Sequence, residues 1–259
     1  MTVRPLTYRD IQATLARLGD TTAGIVLVGG QALNFWAEHY MARVPALAAS
    51  APYASKDVDF CGSRAAVLEC ARRLGGRALL PVDFDPTPNS GQLVFVDAEG
   101  HERVIDFLQQ PFGLDAGDVL RTSLPVDALD EAGRPTGARF RVMHPERCME
   151  SRVHNCGGLP GYDTPRALVQ LRASIVCARE FVSDLLRMGR VRPALDLAER
   201  VFHLCHDHLH AREVYVRFGV DPFDAVVPDA RLPAAFCETR YPQMVARLTA
   251  RRVTRPAGG

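Results

Sequence analysis

Two aspartates, Asp57 and Asp59, flank Val58 in the run Ser55-Lys56-Asp57-Val58-Asp59-Phe60. Polar and apolar residues alternate from Lys56 to Phe60, which is the period of a strand, and in a strand residues i and i+2 point to the same face. Two carboxylates projecting side by side repel, unless a cation sits between them. Magnesium suits that position because it takes hard oxygen ligands and keeps open sites for phosphate oxygens. A third carboxylate, Asp106, lies among Val104, Ile105, Phe107 and Leu108, where an unpartnered buried charge is costly. If its strand lies beside the first, three carboxylates converge. That is the layout of two-metal phosphoryl transfer, in which cations stabilise the attacking and leaving oxygens together. Each part also has a plainer reading: Asp-x-Asp caps helices and decorates edge strands, and a lone strand Asp can be an ion-paired structural residue.

These groups need elements to position them. The apolar run Gly24 to Val28 predicts a strand that stops at Gly29-Gly30, with a helix following over Gln31 to Tyr40. Such a junction aims free backbone N–H groups at an anion. Helices are expected over Thr7 to Leu18 and Arg64 to Leu74, with a Pro/Ala/Ser-rich loop over Val44 to Ala54. Leu93 to Asp97 and Glu102 to Leu108 read as a hairpin around a four-residue turn. A turn over Glu131 to Gly137 precedes a strand from Arg139 to Met143. Beyond His144-Pro145 the pattern is helical, over 146–154, 165–188, 193–210, 211–217 and 240–252, with a frayed tail from Arg255. The expected fold class is α/β (α+β): a mixed-sheet domain over 1–144 and a helical domain over 145–259.

The string Val28-Gly29-Gly30-Gln31-Ala32-Leu33, then Ser55-Lys56-Asp57-Val58-Asp59-Phe60, then Val104-Ile105-Asp106-Phe107 resembles the nucleotidyltransferase superfamily, the polymerase-beta-like fold. Its wording is most similar to AbiEii-like and MenT-like bacterial proteins, toxins of type IV toxin–antitoxin systems, and to unassigned relatives. The likeness covers about residues 20–110 and continues more loosely through Met143 to Arg152. It implies transfer of NMP from an NTP to an acceptor hydroxyl, with tRNA or another RNA among the acceptors and a cognate antitoxin protein as a partner. It implies that Asp57, Asp59 and Asp106 hold two Mg2+ ions, with Mn2+ as a substitute, and that Asp106 helps deprotonate the attacking hydroxyl. Gly29 and Gly30 would let the backbone approach the triphosphate. Where the group often has Ser or Thr this chain has Gln31, whose amide would donate to phosphate instead.

Two cations are further nucleotide-binding candidates. Lys56 is the single lysine of a chain with 31 basic residues, and it abuts Asp57, although strand alternation would turn it to the opposite face. Arg152 follows His144-Pro145 and carries a fork suited to phosphate oxygens. A separate cluster, His203, His206, His208 and His210 with Cys205, holds half of the eight histidines. Helical spacing puts 203, 206 and 210 on one face, which admits a zinc site, or a polar helix end stabilised by the helix dipole.

Composition narrows the classes. With 259 residues, 47% hydrophobic and 24% charged, the chain reads as globular. It has no run of the roughly 20 apolar residues that spans a bilayer and no signal-peptide pattern at its start, so it is expected in the cytoplasm with no membrane partner. Residues 1–140 carry 13 basic and 17 acidic groups, net −4, and 141–259 carry 18 and 13, net +5. A mildly basic C-terminal half would help retain a polyanion. Seven cysteines with no Cys-x-x-Cys pair are expected to be thiols. The competing readings are a non-catalytic nucleotide- or partner-binding module on the same fold, and a zinc protein using the histidines.

Overall fold

The computed structural model describes residues 5–19, 24–82, 87–130 and 132–253. Glu131 of the expected turn and the expected frayed tail lie outside the described residues. The chain divides into two compact units, Met1–Ser151 and Arg152–Gly259.

The first unit opens on α1 (Tyr8–Leu18), started by a capping box in which Thr7 and Asp10 satisfy each other's backbone N–H groups. Its apolar stripe, Ile11, Leu15 and Leu18, is buried. Then come β1 (Val26–Val28), α2 (Gly29–Met41), α3 (Pro45–Ala49) and β2 (Val58–Cys61). The Pro/Ala/Ser stretch is therefore partly helical, with Pro45 at the first turn, where its missing N–H costs nothing. Next is α4 (Arg64–Leu74), capped by Ser63 and closed by Gly75, followed by β3 (Arg77–Leu79), β4 (Asn89–Val96), β5 (Glu102–Leu108) and α5 (Ala116–Thr122). A hairpin of β6 (Leu124–Leu129) and β7 (Pro135–Val142) leads into α6 (Pro145–Gly158), within which the two units divide.

The strands form a seven-stranded mixed sheet in the order β3-β4-β5-β2-β1-β7-β6. The β2–β5 and β1–β7 pairs are parallel, while β1–β2, β3–β4, β4–β5 and β6–β7 are antiparallel. Phe60 and Phe107, aligned across β2 and β5, stack in the core with ring centroids 5.6 Å apart. Asp59 and Asp106, one residue earlier on each strand, take the opposite face by alternation.

The second unit is helical: the end of α6, then α7 (Pro165–Arg187), α8 (Val191–Asp207), α9 (Leu209–Phe218), a 3-10 turn (Pro222–Ala225), a π-turn (Phe236–Arg240) and α10 (Tyr241–Val253). Phe202, Leu197 and Val201 of α8 and Met244 and Leu248 of α10 are among its buried residues. All seven cysteines are thiols, six of them buried. Among the described residues no helix is long and apolar enough to cross a membrane.

Candidate active site

The site is built on a single row across the sheet. Asp59 of β2 is in register with Asp106 of the parallel neighbour β5. Asp106 is in register with Gln92 of β4, and Asp59 with Val28 of β1. Aligned residues share a face, with about 4.8 Å between neighbouring strands. Gln92, Asp106, Asp59 and the end of β1 therefore form one line, and all three polar members are half-buried.

Gln92 was not among the residues singled out from sequence. Its Nε2 donates to Asp106 Oδ1 at 2.7 Å, a charge-assisted bond that fixes the carboxylate. The signal was present only as pairing: Gln92 is polar between apolar Leu93 and Gly91, but nothing in the sequence gives the register.

β1 ends where α2 begins, so Val28 hands the row to Gly29. Gly29 sits at φ +64°, the left-handed region that favours glycine. A Cβ there would overlap Asp59 Oδ2 and stand 3.1 Å from Asp59 Cγ. The backbone at the start of α2 is thus packed directly on the carboxylate. No side chain caps this helix, and its first-turn N–H groups have no intrahelical partners. Carboxylate oxygens and helix N–H groups side by side are a donor set for a hard cation together with a phosphate.

The structure changes three expectations. First, β2 starts at Val58, so Lys56 and Asp57 lie in a bend before the strand, both exposed. Strand alternation therefore neither pairs Asp57 with Asp59 nor turns Lys56 away. The bend is held from the N-terminal side: Ser55 and Leu6 exchange backbone hydrogen bonds of 2.7 and 2.8 Å. Second, Gln31 is fully buried and does not present its amide to a phosphate. Its Nε2 donates to Leu6 O at 3.0 Å and its Oε1 accepts from Asn34 Nδ2 at 3.1 Å. Leu6 O thereby joins the start of α2 to the bend that carries Asp57. Third, the histidine face of 203, 206 and 210 is broken up. His203 and His206 both bond Asp207, at 3.0 and 2.6 Å, and hold its carboxyl below the usual range, while His210 meets His154 instead.

Arg152 is the first residue of the second unit, 7% exposed, with Nη1 donating to Gln170 Oε1 at 3.1 Å.

Among the described residues, ligand atoms of Asp97, Glu99 and His101 all lie within 4.8 Å of one another, a set that could hold a cation. Asp97 is already engaged: Oδ1 accepts from the backbone N–H groups of Glu99 and His101, and Oδ2 from Arg103 Nε at 2.7 Å. Those bonds shape the β4–β5 turn. The turn lies at the far ends of these strands from Gln92 and Asp106, roughly 13 Å away at the rise of a strand.

No protein-family model matches the chain, and no curated protein sequence matches it. Among solved structures the chain is similar to the crystal structure of an antigenic nucleotidyltransferase-like protein from Paracoccidioides brasiliensis, at 10% identity and a TM-score of 0.43, over 75% of this chain and 95% of that one.

Proposed function

We propose that the first unit is a magnesium-dependent nucleotidyltransferase that moves NMP from an NTP to an acceptor hydroxyl. One observation carries the reading: Asp59 and Asp106 stand in register on adjacent parallel strands, and Gly29 lays the uncapped start of α2 against Asp59.

In this reading Asp59 and Asp106 hold Mg2+, joined by Asp57 from the adjoining bend. The bound cation supplies charge neutralisation at the triphosphate and at the attacking and leaving oxygens. The first-turn N–H groups of α2, at Gly29 and Gly30, receive phosphate oxygens without a side chain in the way. Gln92 occupies Asp106 Oδ1, which leaves Oδ2 to face the ligand. Asp106 accepts the proton of the acceptor hydroxyl as it attacks the α-phosphorus and pyrophosphate departs. Exposed Lys56 adds a positive charge beside Asp57 for the outer phosphates.

An RNA end such as that of tRNA is the acceptor class we assign, because the C-terminal half carries the positive balance. A toxin role with a cognate antitoxin follows from the sequence resemblance. The test is incubation of purified protein with each α-labelled NTP, Mg2+ and total tRNA or no acceptor. Label transfer to RNA that disappears in Asp59→Ala and Asp106→Ala supports the proposal. Nucleotide uptake with no transfer to any acceptor would make the chain a non-catalytic binding module.

A further inference from the structure

The first unit holds a cavity of about 360 Å³ between α1, the second half of α2 and the β6–β7 turn. That volume is within the range of small-molecule sites. Tyr8 and Gln12 of α1, Phe35 and Glu38 of α2, and Leu129 at the end of β6 line it, together with exposed Arg9. Glu38 stands well beyond Gly29, about 14 Å along the helix, so the cavity is separate from the carboxylate row.

Two polar groups at this cavity are enclosed without adequate partners. Tyr8 is 4% exposed, and its buried hydroxyl has no hydrogen-bond partner among the described residues. Burial raises that hydroxyl well above its ordinary range, with Gln12 opposing and the charge of Glu38 adding to the rise. Gln12 and Glu38 both line the cavity, so the hydroxyl end of Tyr8 faces it and not the core. A buried polar group left in this way is costly unless a ligand or water completes it. Glu38 is half-buried, and its pairing is poor: Arg9 Nε stands 3.6 Å from Oε2, too far for a hydrogen bond, on a side chain that is 83% exposed. Burial outweighs that pairing and lifts the Glu38 carboxyl above its ordinary range, with Asp10 adding to the rise. A donor brought to Glu38 makes the charge-assisted bond that Arg9 does not.

The surroundings select the sign of the ligand. Glu38 is in the last turn of α2, where the helix dipole favours positive charge. Asp130, on the opposite wall, adds negative charge, although the backbone N–H groups of Ala132 and Arg134 and the Arg134 guanidinium already occupy its oxygens. The rings of Tyr8 and Phe35 meet edge to face with centroids 5.2 Å apart, and an aromatic face attracts a cation.

We propose that this cavity binds a small organic cation, a protonated amine or guanidinium on a short apolar stem. Its N–H groups would sit on Glu38 and the Tyr8 hydroxyl, and its stem against Phe35 and Leu129. The same chemistry reaches the cavity free in solution or on an arginine side chain of another protein. The site does not rest on the nucleotide-transfer reading.

The test is calorimetric titration of the full chain at pH 7.5 with agmatine, as the free cation, and with N-acetylarginine amide, as the side chain on a peptide. We expect uptake that falls tenfold or more in Glu38→Gln and about fivefold in Tyr8→Phe, two replacements that keep the shape of the cavity. Tighter agmatine supports a free ligand and tighter amide supports a protein side chain, and either supports the cation site. The neutral n-butylurea should bind at least tenfold more weakly than agmatine, and Asp59→Asn should leave uptake unchanged. No uptake of either cation by the folded parent chain, equal uptake of n-butylurea, or uptake indifferent to both Glu38→Gln and Tyr8→Phe overturns the proposal. Uptake lost in Asp59→Asn places the cation on the carboxylate row and overturns it as well.

Discussion

Gly29 and Asp59 are packed so closely that no side chain fits between them: the left-handed glycine at the start of α2 rests on the Asp59 carboxylate. Gly75, at the end of α4, has a matching φ of +66° and open space around it. The pair separates backbone strain from close approach. Gly75→Ala should cost about 1–2 kcal/mol, the ordinary penalty for a Cβ in that region. Gly29→Ala should cost more, because Asp59 must also move, and should weaken Mg-NTP binding. Urea midpoints and calorimetric titration of the two variants measure both effects.

Asp106 and Gln92 should differ in kind. Removing a charge that is positioned for the reacting centre, in Asp106→Asn, should lower kcat by about 10²–10³-fold. Gln92→Leu removes only the donor that fixes the carboxylate, so the expected loss is about tenfold, the size of one charge-assisted hydrogen bond. Steady-state transfer assays of the two variants check the order. Equal losses would mean that Gln92 touches substrate itself.

The Gln31 amide is engaged inside the fold, by Leu6 O and Asn34 Nδ2. Gln31→Leu leaves Asn34 Nδ2 without its acceptor and Leu6 O short of a donor, which should destabilise the fold by about 1–3 kcal/mol. Nucleotide affinity of the folded variant should stay close to that of the parent chain. Normal stability with lost affinity would restore the phosphate contact.

How legible this was depended on what each signal encodes. Helix boundaries carried by caps came through: Thr7 and Gly19 bound α1, and Ser63 and Gly75 bound α4. Strand β5 also stood out, because its apolar residues form a run bounded by turn signals. Of the β6–β7 hairpin only the stretch from Arg139 was read as strand: Pro125 and Pro135 inside the strands argue against a ladder at those positions and hide the alternation of Leu124, Val126 and Ala128. β3, three residues at the sheet edge, buries too little to leave a pattern. The carboxylates at 59 and 106 were recognisable by type and order, but their shared row needed the parallel β2–β5 register. His154 could not be joined to His210 for the same reason: the contact crosses two helices and has no local spacing.

The buried thiols give a pH prediction. Burial pushes Cys61 and Cys70 up to about 11 from an ordinary 9.0, with the charges of Asp115 and Glu69 respectively adding to the rise. The folded chain therefore keeps protons that the unfolded chain releases above pH 9. Their stabilising contribution is complete below pH 9 and is lost as pH rises through 11. Thiolate absorbance of the native protein should stay low at pH 9.5 and rise on adding denaturant, and thiol reagents at pH 8 should modify these two cysteines only after unfolding.

The central claim is that Asp59 and Asp106 hold one divalent cation together with a triphosphate at the start of α2. Electron paramagnetic resonance titration with Mn2+ in place of Mg2+ measures this directly, with and without a non-hydrolysable NTP. We expect NTP to tighten Mn2+ binding in the parent chain, and both Asp59→Asn and Asp106→Asn to abolish that effect while the fold stays intact. Mn2+ and NTP binding that is indifferent to both substitutions would contradict it.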